Sequence, residues 1–156
     1  MKKILVAVIT LFLNFSVFAE GEAEFKYREG VMRTVGGHMS SLAAILRGQI
    51  HLDNLQYHAR GMADLAKIVP DVFPDGSGVS KSEALPSVWE KPDEFKAAME
   101  KFVKAANDMS AAAQGGDMSA IGPAMKALGQ SCKGCHESDS SSAVRPYRCV
   151  NNWVPN

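Results

Sequence analysis

Neither sign of charge is in surplus along this chain: 17 lysines and arginines meet 17 aspartates and glutamates over 156 residues. So balanced a chain has no basic field with which to hold nucleic acid. Cysteine and histidine are scarce, at three and four residues. No stretch alternates with the period of two that a strand requires, which excludes a sheet-based core. No apolar run reaches the roughly 20 residues that span a bilayer, and the N-terminal run is interrupted at Asn14. There is no internal repeat and no second domain, and 46% hydrophobic residues suffice for one core.

The N-terminus carries an export signal instead of an anchor. Lys2 and Lys3 form its basic end, Ile4 to Leu13 its apolar centre, and Val17-Phe18-Ala19 a small-residue cleavage site. Residues 1–19 are therefore expected to be removed, leaving a mature chain from Glu20 with 15 basic and 17 acidic side chains.

Four amphipathic helices follow from apolar spacing and breakers. The first runs from about Glu22 to Arg47, with Phe25, Met32, Val35, Met39, Leu42 and Leu46 on one stripe. The second runs from about Asp53 to Val69 on Leu55, Met62, Leu65, Ala66 and Ile68. Pro70 stops it, and Pro74, Asp75, Gly76 and Gly78 open a long crossover ending near Pro86-Ser87-Val88-Trp89. The third starts at Pro92 and Asp93, carries Phe95, Met99, Phe102, Ala106, Met109 and Ala113, and ends at Gly115-Gly116. The fourth opens at Asp117 and continues through Ile121, Met125, Leu128 and Cys132 to about Ser138, with Pro123 near its start. Four helices joined by short turns and one crossover predict an all-α, antiparallel four-helix bundle.

Two of the three cysteines fall in Cys132-Lys133-Gly134-Cys135-His136. Two thiols three apart, followed directly by an imidazole, form the attachment signature for haem c: each thiol adds across a vinyl group and the histidine ligates the iron. A redox dithiol needs a βαβ context, and a zinc site needs further ligands, for which only Cys149 and three scattered histidines remain. One haem c per chain is thus the expected cofactor, and its attachment after export agrees with the leader.

The opposite side of the iron decides between gas binding and electron transfer. Most of the eight methionines fall at core spacing. Met32 lies one turn after Arg28 on the inward stripe, where it can serve as pocket wall, iron ligand or plain core. His38, His51 and His58 repeat no landmark of the stripes and are expected at the surface.

A C-terminal CxxCH on the last helix resembles the cytochrome c′ family with its low-spin c-556-type relatives. Tyr27-Arg28 followed by Met32, Pro86 with Val88-Trp89 ahead of Phe95, and Ser131-Cys132-Lys133-Gly134-Cys135-His136 carry the likeness across most of the mature chain. The resemblance implies a left-handed four-helix bundle, usually a homodimer. It also implies iron five-coordinate on His136, with an apolar distal face at which NO and CO compete. It puts Met32 at the distal position, Arg28 and Glu29 at the haem propionates, and Ser82 and Glu83 at a second haem-edge contact. In c-556 relatives a first-helix methionine is an iron ligand, so Met32 is also the possible sixth ligand here. Where such families place a basic residue four after the haem histidine, this chain has Ser140, which puts a proximal cation in doubt.

The domain expected on these grounds spans 20–142, and 143–156 form an added tail, expected to be mobile or loosely docked, with Tyr147, Val150 and Trp153 as candidate docking contacts and Cys149 as an odd thiol. Gas binding at an open iron and electron transfer through a Met32-ligated one are the two functions expected of a periplasmic protein that meets an unidentified redox partner. A peroxidase would want a polar distal acid/base pair, which methionine and aliphatic neighbours do not supply, so no enzyme is expected. Ile45, Ile50 and Leu52 are apolar residues beyond a single stripe and offer a thin case for dimerisation through the first two helices.

Overall fold

The computed structural model describes the backbone of residues 2–136 and the side chains of 21–136. Its helices are α1 (Lys2–Gly48), α2 (Leu55–Ala66), the four-residue α3 (Ser87–Glu90), α4 (Pro92–Gly115) and α5 (Met118–His136), with single 3₁₀ turns at Leu52–Asn54 and Val69–Asp71. There is no strand among the described residues, and the four long helices form the expected bundle with its one crossover. No helix among them is long and apolar enough to cross a membrane. The positions read in 137–156, Ser138, Ser140, Tyr147, Cys149, Val150 and Trp153 among them, lie outside the described residues.

The first helix begins at Lys2 and not near Glu22, because the leader contains neither glycine nor proline to break it. The fourth begins where Asp117 caps it: the Ser119 amide donates to Asp117 Oδ1 at 2.8 Å, and the Ser119 hydroxyl to Oδ2 at 2.8 Å. Just before it, Gly116 ends α4 at φ 68°, a left-handed backbone that glycine enters without a Cβ clash.

Each of the four long helices commits one face to a common core. Leu42, Met62, Ala66, Ala106, Met109, Ile121 and Leu128 are all but solvent-free, and the methionines fill gaps between helices as flexible side chains do. Ile45 belongs to this core, so it is no part of an exposed apolar patch; Ile68, read as core, is exposed where α2 gives way to the 3₁₀ turn. Extensive pairing runs α1 on α2, α2 on α4 and α4 on α5. Among the described residues α1 and α5 are not paired in this way.

The crossover is held by a charge. Arg28, only 5% exposed on α1, donates from Nη1 to the Val72 carbonyl at 3.1 Å and the Ser77 hydroxyl at 2.7 Å. Its Nη2 donates to the Ser77 carbonyl at 2.9 Å and the Ser82 hydroxyl at 3.1 Å. The guanidinium also lies 5.0 Å from the centre of the Phe73 ring. Farther on, the Trp89 indole donates to the carbonyls of Phe73 and Pro74, both at 3.1 Å, and Phe73 meets Phe95 edge to face. A segment with little regular structure thus has its carbonyls satisfied by two long side chains. Replacing Arg28 by Met should leave buried acceptors unpaired and cost about 3 kcal/mol in urea unfolding, with faster proteolysis within 74–85; Arg28→Lys should lose less.

Candidate functional site

The last turn of α5 carries the Cys132–His136 motif. Ile121, Leu128 and Cys135 recur by sevens, which returns a helix to nearly the same face, so Cys135 is buried while Cys132, read as the stripe's landmark, is half-exposed. Nδ1 of the half-buried His136 is shielded from solvent. Burial pushes the Cys135 thiol up, with Lys101 opposing. That is the reverse of what a reactive dithiol needs. Among the described residues no group of three or more His, Cys, Asp or Glu side chains is placed to hold a metal ion, as a closed structural zinc site built on the two thiols would demand.

The donor set therefore fits haem: two thiols and one imidazole on one turn, at the end of a helix whose extensive pairing is with α4. Met32 and Val35 on α1 are half-buried against the core, and Cys132 and His136 on α5 are half-buried too. A groove of about 320 Å³ runs beside Cys135 and Gly134, bordered by Phe95, Ala98 and Lys101 of α4. A larger groove, about 430 Å³ along Phe95, Met99 and Val103, contains none of the thiols or histidines.

Of the residues read as haem-edge contacts, Arg28 and Ser82 are brought together in the buried cluster that anchors the crossover. Burial lowers the Arg28 pKa and Glu24 opposes the shift, yet a guanidinium remains charged. Glu29 is instead engaged along the flank of α1, 2.7 Å from Arg33 and 3.7 Å from Lys26, and Glu83 is exposed.

Two histidines depart from expectation. His38 and His58 are half-buried, with their Nδ1 atoms 3.1 Å apart and their rings edge to face. No periodic signal could have found this pair, since the two residues belong to different helices and meet only when α1 packs on α2. A Cβ on Gly61 would stand 2.7 Å from His38 Nε2, so the absence of a side chain there lets the imidazole lie against α2. His51 is exposed, as expected, and sits at φ 49° in the turn between α1 and α2. Tyr57 packs edge to face on His58.

Burial, and secondarily the charge of His58, lowers the His38 pKa. The folded state then holds a neutral imidazole, while the unfolded chain takes up a proton below about pH 6.5. Stability should be fully present above that value and fall as the pH drops towards the lowered folded pKa. Urea midpoints between pH 7.5 and 5 should show this slope, and His38→Gln should flatten it; an unchanged slope contradicts the assignment.

Comparison with known proteins agrees with these features. The family model described as Cytochrome C' matches residues 23–138. The chain is 42% identical over 122 residues to cytochrome c' of Pararhodospirillum photometricum, covering 77% of this chain and 98% of that one. It is 39% identical over 127 residues to cytochrome c-556 of Agrobacterium fabrum, covering 79% and 83%. The fold matches a solved structure of a ferrous cytochrome c prime variant from Alcaligenes xylosoxidans with bound NO, at TM-score 0.69 and 24% identity over 75% of this chain and 92% of that one.

Proposed function

The chain belongs to the cytochrome c′ family of haem proteins, and we propose that it is a periplasmic c-type cytochrome that binds small gases such as NO and CO and is competent in electron transfer. One observation carries this reading: α5 ends with Cys132, Cys135 and His136 on a single turn. Bound there, one haem supplies a redox-active iron with a coordination position for a diatomic ligand. Cys132 and Cys135 would hold it covalently and His136 would ligate its iron.

Met32 and Val35, half-buried on α1, would supply it with a wall of apolar side chains. Such a wall carries no titratable group, disfavours water and selects by size. His38 is six residues from Met32, about 120° around the helix, and faces His58. It is not placed as an acid/base partner beside Met32, so we assign binding and electron transfer in preference to catalysis. The NO complex of the Alcaligenes relative supports the gas-binding reading. The leader read at residues 1–19 supports export. A homodimer through the α1–α2 end is supported by Ile50 and Leu52, 50% and 46% exposed in that turn.

A second reading, a low-spin electron carrier with Met32 as sixth ligand, is favoured by the c-556 relative and by the half-buried thioether on α1. Ferric and ferrous optical spectra, with CO added to the reduced protein, separate the two. The five-coordinate reading predicts a high-spin spectrum and a prompt CO shift, with Met32→Ala speeding CO binding about tenfold by lifting a steric barrier of about 1.4 kcal/mol. A low-spin spectrum whose methionine charge-transfer band vanishes in Met32→Ala contradicts it and establishes the sulfur ligand.

A further inference from the structure

The histidine pair between α1 and α2 has no part in the haem reading. Two neutral imidazoles that each keep the proton on Nε2 present two Nδ1 lone pairs to each other across 3.1 Å. Two acceptors this close repel unless something electropositive sits between them. A proton on one Nδ1 is one solution. A metal ion is the other, because two nitrogens each about 2.0–2.1 Å from one ion at square or tetrahedral angles stand about 2.9–3.4 Å apart.

We propose that His38 and His58 form a two-point site for a late first-row divalent cation of the Zn(II) or Cu(II) class, stapling α1 to α2. Three features support it. The nitrogens are at chelating separation in the resting fold. The Gly61 cradle fixes the His38 ring from the α2 side, since any Cβ there would displace it. Tyr57, 71% exposed, packs on the outer flank with its ring 5.3 Å from that of His58 and 6.3 Å from that of His38, which restricts both imidazoles while leaving the site near solvent. Imidazole selects this class over Mg(II) or Ca(II), and water completes the coordination. Burial helps by keeping His38 neutral near pH 7, with its lone pair available. The cation links the helices without touching the face that carries Met32.

Titration calorimetry of the haem-loaded protein at pH 7.5 tests this, with Zn(II) as probe and Mg(II) as control. Zn(II) should bind at one equivalent while Mg(II) gives no heat. His38→Gln and His58→Gln should each weaken Zn(II) at least tenfold, and the double variant should be no weaker than either single within about twofold, as a chelate requires. Gly61→Ala, which keeps both ligands but displaces His38, should weaken Zn(II) comparably. His51→Gln should change nothing, and an unaltered haem spectrum in each variant shows that the fold is intact. Zn(II) binding weaker than about 1 mM in the unsubstituted protein, or retained in both single variants, overturns the proposal and leaves the pair as a hydrogen bond between helices.

Discussion

The buried guanidinium of Arg28 is the contact on which the arrangement of the site depends. Taking a cation out of water is costly unless its protons all find acceptors, and here two carbonyls and two hydroxyls of the crossover meet it. That demand runs both ways. Val72, Ser77 and Ser82 belong to a segment with no sheet or long helix of its own, so the arginine on α1 determines where the crossover runs. Trp89 and the Phe73–Phe95 contact then carry the constraint to the start of α4. Met32 follows Arg28 by one turn, so the anchoring of the crossover and the lining of the inner face come from one stretch of one helix.

A second constraint acts from the other end of the chain. The α5 stripe returns every seven residues, and this buries Cys135 while leaving Cys132 and His136 at the border of the core. α5 pairs extensively with α4, and α1 with α2, while among the described residues α1 and α5 are not paired in this way. A flat macrocycle held by Cys132 and Cys135, as proposed, would meet the half-buried Met32 and Val35 as apolar side chains of α1. Among the described residues the bundle places the His38–His58 pair on the α1–α2 seam, well round the helix from Met32.

Much of this was legible in the residues themselves. The motif at Cys132–His136 is local, and the breakers at Pro70, Pro92 and Gly116 bounded the helices to within a few residues. Arg28 could be read as inward-facing from its spacing to Met32. Its partners could not, because Ser77 and Ser82 reach it only through the path of a crossover that has no period. The His38–His58 contact was missed for the same reason: it joins two helices, and each histidine alone looks like a surface residue. Ile45 and Ile68 exchanged roles because the inner face of α1 is wider than one stripe and α2 ends at Ala66, short of Ile68. The uninterrupted start of α1 followed from the leader's lack of helix breakers, a signal present in the sequence but read there only as export.

The central claim is that Cys132 and Cys135 carry one haem through covalent bonds. Its most direct test is mass spectrometry of the purified, exported chain under denaturing conditions, followed by fragmentation of the peptide that contains the motif. The account predicts a mature chain starting at Glu20, heavier by one haem that survives denaturation, with the added mass on the peptide bearing Cys132 and Cys135. A chain with both thiols unmodified, or a haem that dissociates on denaturation, would contradict it.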